Sequence, residues 1–136
     1  MGLRVLIVDD SPAMRAYVRR SLQTAGVALT SIHEAGDGQE ASALVERQYG
    51  DGHWFDLILT DLNMPNVNGE EFLRKLRSND MHKHIPVLII STDSTQTRVL
   101  RLRELGAQGY VSKPCHPEMI RLKVEQVVGK SLAKSR

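Results

Sequence analysis

Leu3-Arg-Val-Leu-Ile-Val-Asp-Asp-Ser-Pro12 passes from an apolar run to two carboxylates and then to a helix start. The run is too continuous for a half-exposed strand and reads as a buried parallel one. Ser11-Pro12 supplies an N-cap followed by proline at the first helical position, where a missing N–H costs nothing. Met14, Val18, Leu22 and Ala25 then recur at helical spacing until Gly26 stops the helix. A buried strand that ends in acid and runs straight into a helix is a βα unit.

The same unit recurs along the chain. Apolar runs at Phe55–Leu59 and Val87–Ile90, with a shorter one around Tyr110–Val111, predict further buried strands. The more polar Leu29–Glu34 predicts an edge strand. Helices are predicted over Gly38–Arg47 with Ala41, Leu44 and Val45 inward, and over Gly69–Arg77 with Phe72, Leu73 and Leu76 inward. A fourth covers Gln96–Leu105 before Gly106, and a last one starts at Pro117 and buries Ile120, Val124 and Val127 or Val128. Five strands alternating with five helices imply right-handed crossovers and a parallel sheet covered on both faces. Ligands of such sheets bind at the carboxyl ends of the strands, so the polar residues there are the candidates.

The chain has 136 residues, which suits one domain. Apolar residues make up 41% and aromatics only 4%, so aliphatic packing must form the core. A net charge of +2 is too near balance to imply nucleic-acid binding through a long-range field. Cys115 is the only cysteine, no run approaches the roughly 20 apolar residues of a membrane span, and no signal-peptide core follows Met1. A cytoplasmic location with no membrane attachment is therefore expected. Tyr49–Trp54 reads as a surface insertion, and Gly129–Arg136, small and basic, as a frayed end or the start of a linker.

The strand ends supply Asp9, Asp10, Asp61, Ser91 and Lys113, all facing one mouth of a parallel sheet. Three carboxylates about 4 Å apart repel by roughly 1 kcal/mol per pair in bulk water and roughly 4 at an effective dielectric of 20, so the cluster needs a cation. An all-oxygen set with few protein carboxylates suits Mg2+ with retained waters. An aspartate beside that ion is a nucleophile for a phosphoryl donor, with metal and Lys113 neutralising the transferring oxygens. Asp61 is the candidate, because the loop Leu62–Asn68 after it leaves room for in-line approach.

Four segments in this order resemble the receiver domain of bacterial response regulators, of the chemotaxis type. They are Val5-Leu-Ile-Val-Asp-Asp10, Asp56-Leu-Ile-Leu-Thr-Asp-Leu-Asn-Met-Pro65 with Gly69, Pro86-Val-Leu-Ile-Ile-Ser91, and Gly109-Tyr-Val-Ser-Lys-Pro114. The resemblance spans about residues 3–128 and implies a receiver domain over 1–128, flavodoxin-like, with strand order 2-1-3-4-5. It implies a module of two-component signalling that takes its phosphoryl group on Asp61 from a sensor histidine kinase or histidine phosphotransfer protein. Slow self-phosphorylation and autodephosphorylation, not enzymatic turnover, are expected. Asp10, Asp61 and the main-chain carbonyl of Asn63 would bind Mg2+, Asp9 acting mostly through metal-bound water. Lys113 would pair with the phosphoryl group, and the Lys113–Pro114 bond would be cis.

By the same resemblance Ser91 would swing to the phosphoryl group and Tyr110 turn inward behind it, changing a surface made by the fourth helix, fifth strand and fifth helix. That surface would meet a protein target, the chain being a monomer or a phosphorylation-dependent dimer. One such hydrogen bond is worth about 0.5–1.5 kcal/mol, or about 3 when charge-assisted, whereas turning a 1:99 equilibrium into 99:1 needs about 5.5. A partial switch, completed by the partner, is expected. Thr92 stands where receivers usually carry Ala or Gly, and its branched side chain is expected to slow access of water to the phosphoryl group. Cys115 and Asn68 also depart from the common pattern, away from the chemistry.

Three functions remain open at this point: a stand-alone receiver, the receiver part of a larger regulator, and a phosphohydrolase using Asp61. Haloacid-dehalogenase-type phosphatases need a second aspartate two residues after the nucleophile, where this chain has Asn63. Dinucleotide binding is disfavoured because Asp9-Asp10-Ser11-Pro12 fills the turn that a glycine-rich cradle would need. His82 and His84 offer two ligands where metal sites need three or four. Arg98, Arg101 and Arg103, with Arg121 and Lys123, read as a solvated face or as a surface for an acidic partner.

Overall fold

The computed structural model describes residues 2–135, with side chains through residue 129. Its elements run β1 (Leu3–Val8), α1 (Pro12–Thr24), β2 (Leu29–Ala35), α2 (Gly38–Gly50), β3 (Leu57–Thr60), α3 (Gly69–Ser78), β4 (Val87–Ser91), α4 (Gln96–Glu104), β5 (Gly109–Ser112) and α5 (Pro117–Ser135). All neighbouring strands pair in parallel, in the order β2-β1-β3-β4-β5. This is the flavodoxin-like doubly wound sheet expected, with Leu29–Ala35 at one edge.

Alternation along each strand builds two cores. Leu6, Val8, Ile58, Val87 and Ile89 face α2, α3 and Leu102 of α4, while Val5, Ile7, Leu57, Leu59, Leu88 and Ile90 face α1 and α5. The inward residues are those of the helical spacing: Val18 and Leu22, Ala41 and Val45, Phe72 and Leu73, Ile120, Val124 and Val127 are all at most 3% exposed. Each fully buried aliphatic or aromatic side chain contributes about 1.5–3 kcal/mol, so these layers hold the strand ends in register.

The helix starts follow the capping signals. Ser11 Oγ accepts the N–H of Met14 at 3.2 Å, and Asn68 forms a reciprocal capping box with Glu71. Gly26, at φ 76°, ends α1 in a conformation that side chains rarely adopt. Two helices outrun their expected ends. α2 continues through Gly50, and α5 through Gly129 to Ser135, so the expected tail begins inside a helix. A glycine costs a helix only about 1 kcal/mol, too little to stop one already nucleated and packed.

Candidate functional site

The first bonds past the strands bring the candidate residues to one level. Asp61 N donates to Val8 O at 2.9 Å, Asp9 N to Ala35 O at 3.1 Å and Lys113 N to Ser91 O at 2.8 Å. Asp9 and Asp10 leave β1, Asp61 leaves β3, Ser91 ends β4 and Lys113 leaves β5. One carboxylate oxygen from each of Asp9, Asp10 and Asp61 lies within 4.8 Å of the others. Lys113 Nζ donates to Asp9 Oδ2 at 2.9 Å and to Asp61 Oδ2 at 3.1 Å.

Asp9 and Asp61 are almost wholly enclosed, whereas Asp10 is exposed. The second oxygen of each buried carboxylate is also satisfied: Asp9 Oδ1 accepts Ser11 N at 2.9 Å and Asp61 Oδ1 accepts Leu62 N at 2.7 Å. Burial works to lower the Lys113 pKa, but its hydrogen bond to Asp9 and the charges of Asp61 and Asp9 hold it above its ordinary value. Three carboxylates against one ammonium leave a deficit of two positive charges, that of one divalent ion. The donors are all oxygens, and around Mg2+ adjacent oxygens stand about 3 Å apart and opposite ones about 4.2 Å, so the set fits that ion once the carboxylates draw together or one of them acts through water.

The loop after Asp61 folds back on itself. Gly69 N donates to Leu62 O at 2.9 Å, and a Cβ on Gly69 would stand 2.1 Å from the carbonyl oxygen of Asp61. Glycine alone fits there. Asn66, at φ 63°, turns the loop and donates from Nδ2 to Asp37 Oδ2 at 2.8 Å, tying it to the start of α2. Asn63 and Thr92 are exposed at the mouth.

Ser91 is fully buried, and its Oγ accepts the N–H of Asp93 at 3.3 Å. The half-buried Tyr110 packs against the α2–α3–α4 core and donates its hydroxyl to the carbonyl of Asp93. Burial pushes the Tyr110 phenol up from its ordinary pKa, and the charges of Asp93 and Asp61 add to the effect. The Lys113–Pro114 peptide is cis.

Other residues singled out by the sequence lie away from this cluster. His82 is buried, its ring edge-on to Tyr49 with centroids 5.2 Å apart, while His84 is exposed, so the two histidines form no pair. Tyr49 belongs to α2, not to the surface insertion that follows. Arg98 and Arg101 are not simply solvated: they meet Glu70 of this chain at 3.7 and 3.0 Å. Arg15, which carries no motif, donates from Nη1 to the main-chain oxygen of Asp9 at 2.6 Å.

The 2-1-3-4-5 sheet thus carries three carboxylates and a lysine together at its carboxyl end. The chain belongs to the response regulator receiver domain family, whose model matches residues 5–125. The chemotaxis protein CheY of Pseudomonas aeruginosa is 32% identical over 125 residues, 92% of this chain and 95% of that protein. Among solved structures, the chemotaxis protein CheY4 of Vibrio cholerae superposes with a TM-score of 0.80 at 32% identity, over 93% of this chain and 99% of that one. A CheX–CheY–BeF3–Mg2+ complex from Borrelia burgdorferi gives a TM-score of 0.80 at 25% identity, over 92% of this chain and 88% of that one. Among the described residues no helix is long and apolar enough to cross a membrane.

Proposed function

We propose that residues 1–128 form a receiver that takes a phosphoryl group on Asp61 from a histidine kinase or histidine phosphotransfer protein and passes the change to a protein target. The observation that carries this is the convergence of Asp9, Asp10 and Asp61 within 4.8 Å, with Lys113 on two of the three. An Asp61 oxygen attacks the phosphorus of a phosphohistidine, the P–N bond breaks, and the imidazole leaves with the bonding pair and takes up a proton from solvent. Lys113 then holds the phosphoryl oxygens with its ammonium.

Asp10, Asp61 and the carbonyl of Asn63 would hold Mg2+, with Asp9 acting through water, and the ion would supply neutralisation of the charge on the phosphoryl oxygens. The likeness to a CheY crystallised with Mg2+ supports that choice of ion. The added charge gives Ser91 Oγ a new partner in exchange for the N–H of Asp93, and Tyr110, bonded to the same residue, follows. The changed surface is α4–β5–α5, where Val99, Arg103, Tyr110, Ser112 and Lys123 line a groove of about 340 Å³. The site accepts phosphorus slowly from small donors and does not turn over phosphoesters.

Incubation with acetyl phosphate and Mg2+, followed by intact-mass measurement, tests the reading. The wild type gains one phosphoryl group and Asp61→Asn gains none; an adduct that persists in Asp61→Asn overturns the assignment. Rapid steady-state hydrolysis of small phosphoesters would instead favour a phosphatase. Thr92→Ala is expected to shorten the lifetime of the adduct, and an unchanged lifetime removes Thr92 from any role in access.

A further inference from the structure

Asp10 is the least supported member of the acidic set. Asp9 and Asp61 each have both carboxylate oxygens bonded within the protein. The carboxylate of Asp10, on an exposed residue, takes no hydrogen bond or ion pair among the described residues. Its placement beside Asp61 therefore depends on the backbone leading to it, above all on the peptide plane that joins Asp9 to Asp10. The carbonyl of that plane accepts Arg15 Nη1 at 2.6 Å.

The guanidinium that makes this bond is itself fixed. Arg15 Nε donates to Glu34 Oε1 at 2.9 Å, and the other oxygen of Glu34 accepts Arg19 Nε at 2.9 Å and Nη2 at 2.6 Å. Arg15 lies one turn into α1 and Glu34 next to the end of β2, so the fork bridges the two elements that flank the acidic turn. Its side chain is only 20% exposed. An arginine fork is suited to this task, since one planar group bonds a carboxylate and a carbonyl at once.

We infer that Arg15, oriented by Glu34, is a positioning residue that fixes the Asp9–Asp10 peptide so that the Asp10 carboxylate faces Asp61, an inference that rests on the phosphoacceptor reading above. Arg15 touches no reacting atom. Its charge alone would have the opposite effect to its geometry: a cation near a cation site weakens binding, so deleting it for charge reasons would tighten Mg2+. Arg19 offers the matched control, because Arg15→Ala and Arg19→Ala each remove one positive charge from the same cluster and only the first breaks the bond to Asp9.

Calorimetric titration of Mg2+ into wild type, Arg15→Ala, Arg15→Lys and Arg19→Ala decides the matter, with melting curves recorded without metal. Arg15→Ala is expected to weaken Mg2+ binding about tenfold, the lower end of what loss of an outer-shell partner costs a metal site. Arg15→Lys, which keeps a donor but loses the fork, falls between, and Arg19→Ala binds at least as tightly as wild type. In acetyl phosphate labelling, Arg15→Ala raises the Mg2+ concentration for half-maximal rate and leaves the rate at saturating Mg2+ close to wild type, a split that general loosening of the fold would not produce. Equal weakening in Arg15→Ala and Arg19→Ala, or wild-type affinity in folded Arg15→Ala, overturns the inference. If Arg15→Ala does not fold, Arg15→Lys against Arg19→Ala carries the same comparison. Failure of the wild type itself to bind Mg2+ or gain a phosphoryl group overturns the phosphoacceptor reading and this inference with it, and shows before any variant is compared.

Discussion

Asp61 and its following loop rest on α3, which sends Gly69, Phe72, Leu73 and Leu76 into the protein, whereas α4 on the same face of the sheet sends in only Leu102. The remaining ties of α4 lie at its rim. Arg98 and Arg101 reach Glu70 in the first turn of α3, and Arg77 Nη2 donates at 2.8 Å to the carbonyl of Gly106 just past the helix. Apolar burial is insensitive to salt, while exposed ion pairs are weak and screened. The loop after Asp61 is thus held by packing and α4 mostly by polar contacts at its rim. Elements that move in signalling come from the weakly held end of the stability range, and α4 is the more weakly held of these two regions.

The hardest way to break the contrast is Gly69→Ala. The new methyl would meet the Asp61 carbonyl at 2.1 Å, so backbone under the site must shift. A loss of about 3–5 kcal/mol is expected by urea denaturation, together with loss of the phosphoryl adduct. Leu102→Ala attacks the other region. It should cost about 2–3 kcal/mol, the lower part of the range for a buried leucine, because a lightly packed helix can settle into the space. Hydrogen exchange should rise in α4 first, and the protein should still accept a phosphoryl group on Asp61. Loss of the adduct in Leu102→Ala, with the fold intact, would mean that the two regions are not separately held.

The packed region was legible in the sequence, and the loosely held one much less so. Continuous apolar runs, the Ser11-Pro12 start and Gly26 mark buried parallel strands and α1 because they act through local geometry. Asp9, Asp10, Asp61 and Lys113 could be gathered on paper, since parallel strands must all end at one mouth. The ties of α4 have no such signature: Glu70 and Arg101 are 31 residues apart, as are Arg77 and Gln108. Arg98 and Arg101 thus read as solvent-facing charge. Arg15 escaped for the same reason, its partners being a main-chain oxygen and a carboxylate on another element. His82 escaped because its partner Tyr49 sits in a turn of α2 beyond the expected helix end.

Lys113→Met tests how much of the pocket's rigidity is electrostatic. Without the ammonium, two enclosed carboxylates lose a shared donor, and a cost of about 1–3 kcal/mol is expected. The sign with pH follows from the raised pKa. A folded value above the ordinary 10.5 means that the stabilisation is complete below that pH and is lost as pH climbs through the folded value. Wild type should therefore show the steeper alkaline limb in stability against pH, and Lys113→Met a flatter one from a lower start. Mg2+ should recover more stability in the variant, since it restores positive charge to carboxylates left facing one another.

Glu70→Gln should have the smallest effect and bears most directly on α4. The hydrogen bond from Arg101 lowers the Glu70 pKa against the opposing effect of burial, and the charges of Arg101 and Arg98 add to it. A depressed carboxylate stabilises above its ordinary 4.5 and loses that contribution as pH falls through the folded value, so Glu70→Gln should flatten the acid limb. High salt should do the same to wild type, because Arg98 and Arg101 are 31% and 54% exposed and their pairing is open to screening. The urea midpoint should move less than in any variant above, while exchange of α4 amides rises and α1 and α5 stay protected. If Glu70→Gln shifts the midpoint as far as Leu102→Ala does, the ion pairs are bearing structure, and α4 is as firmly seated as the loop beneath Asp61.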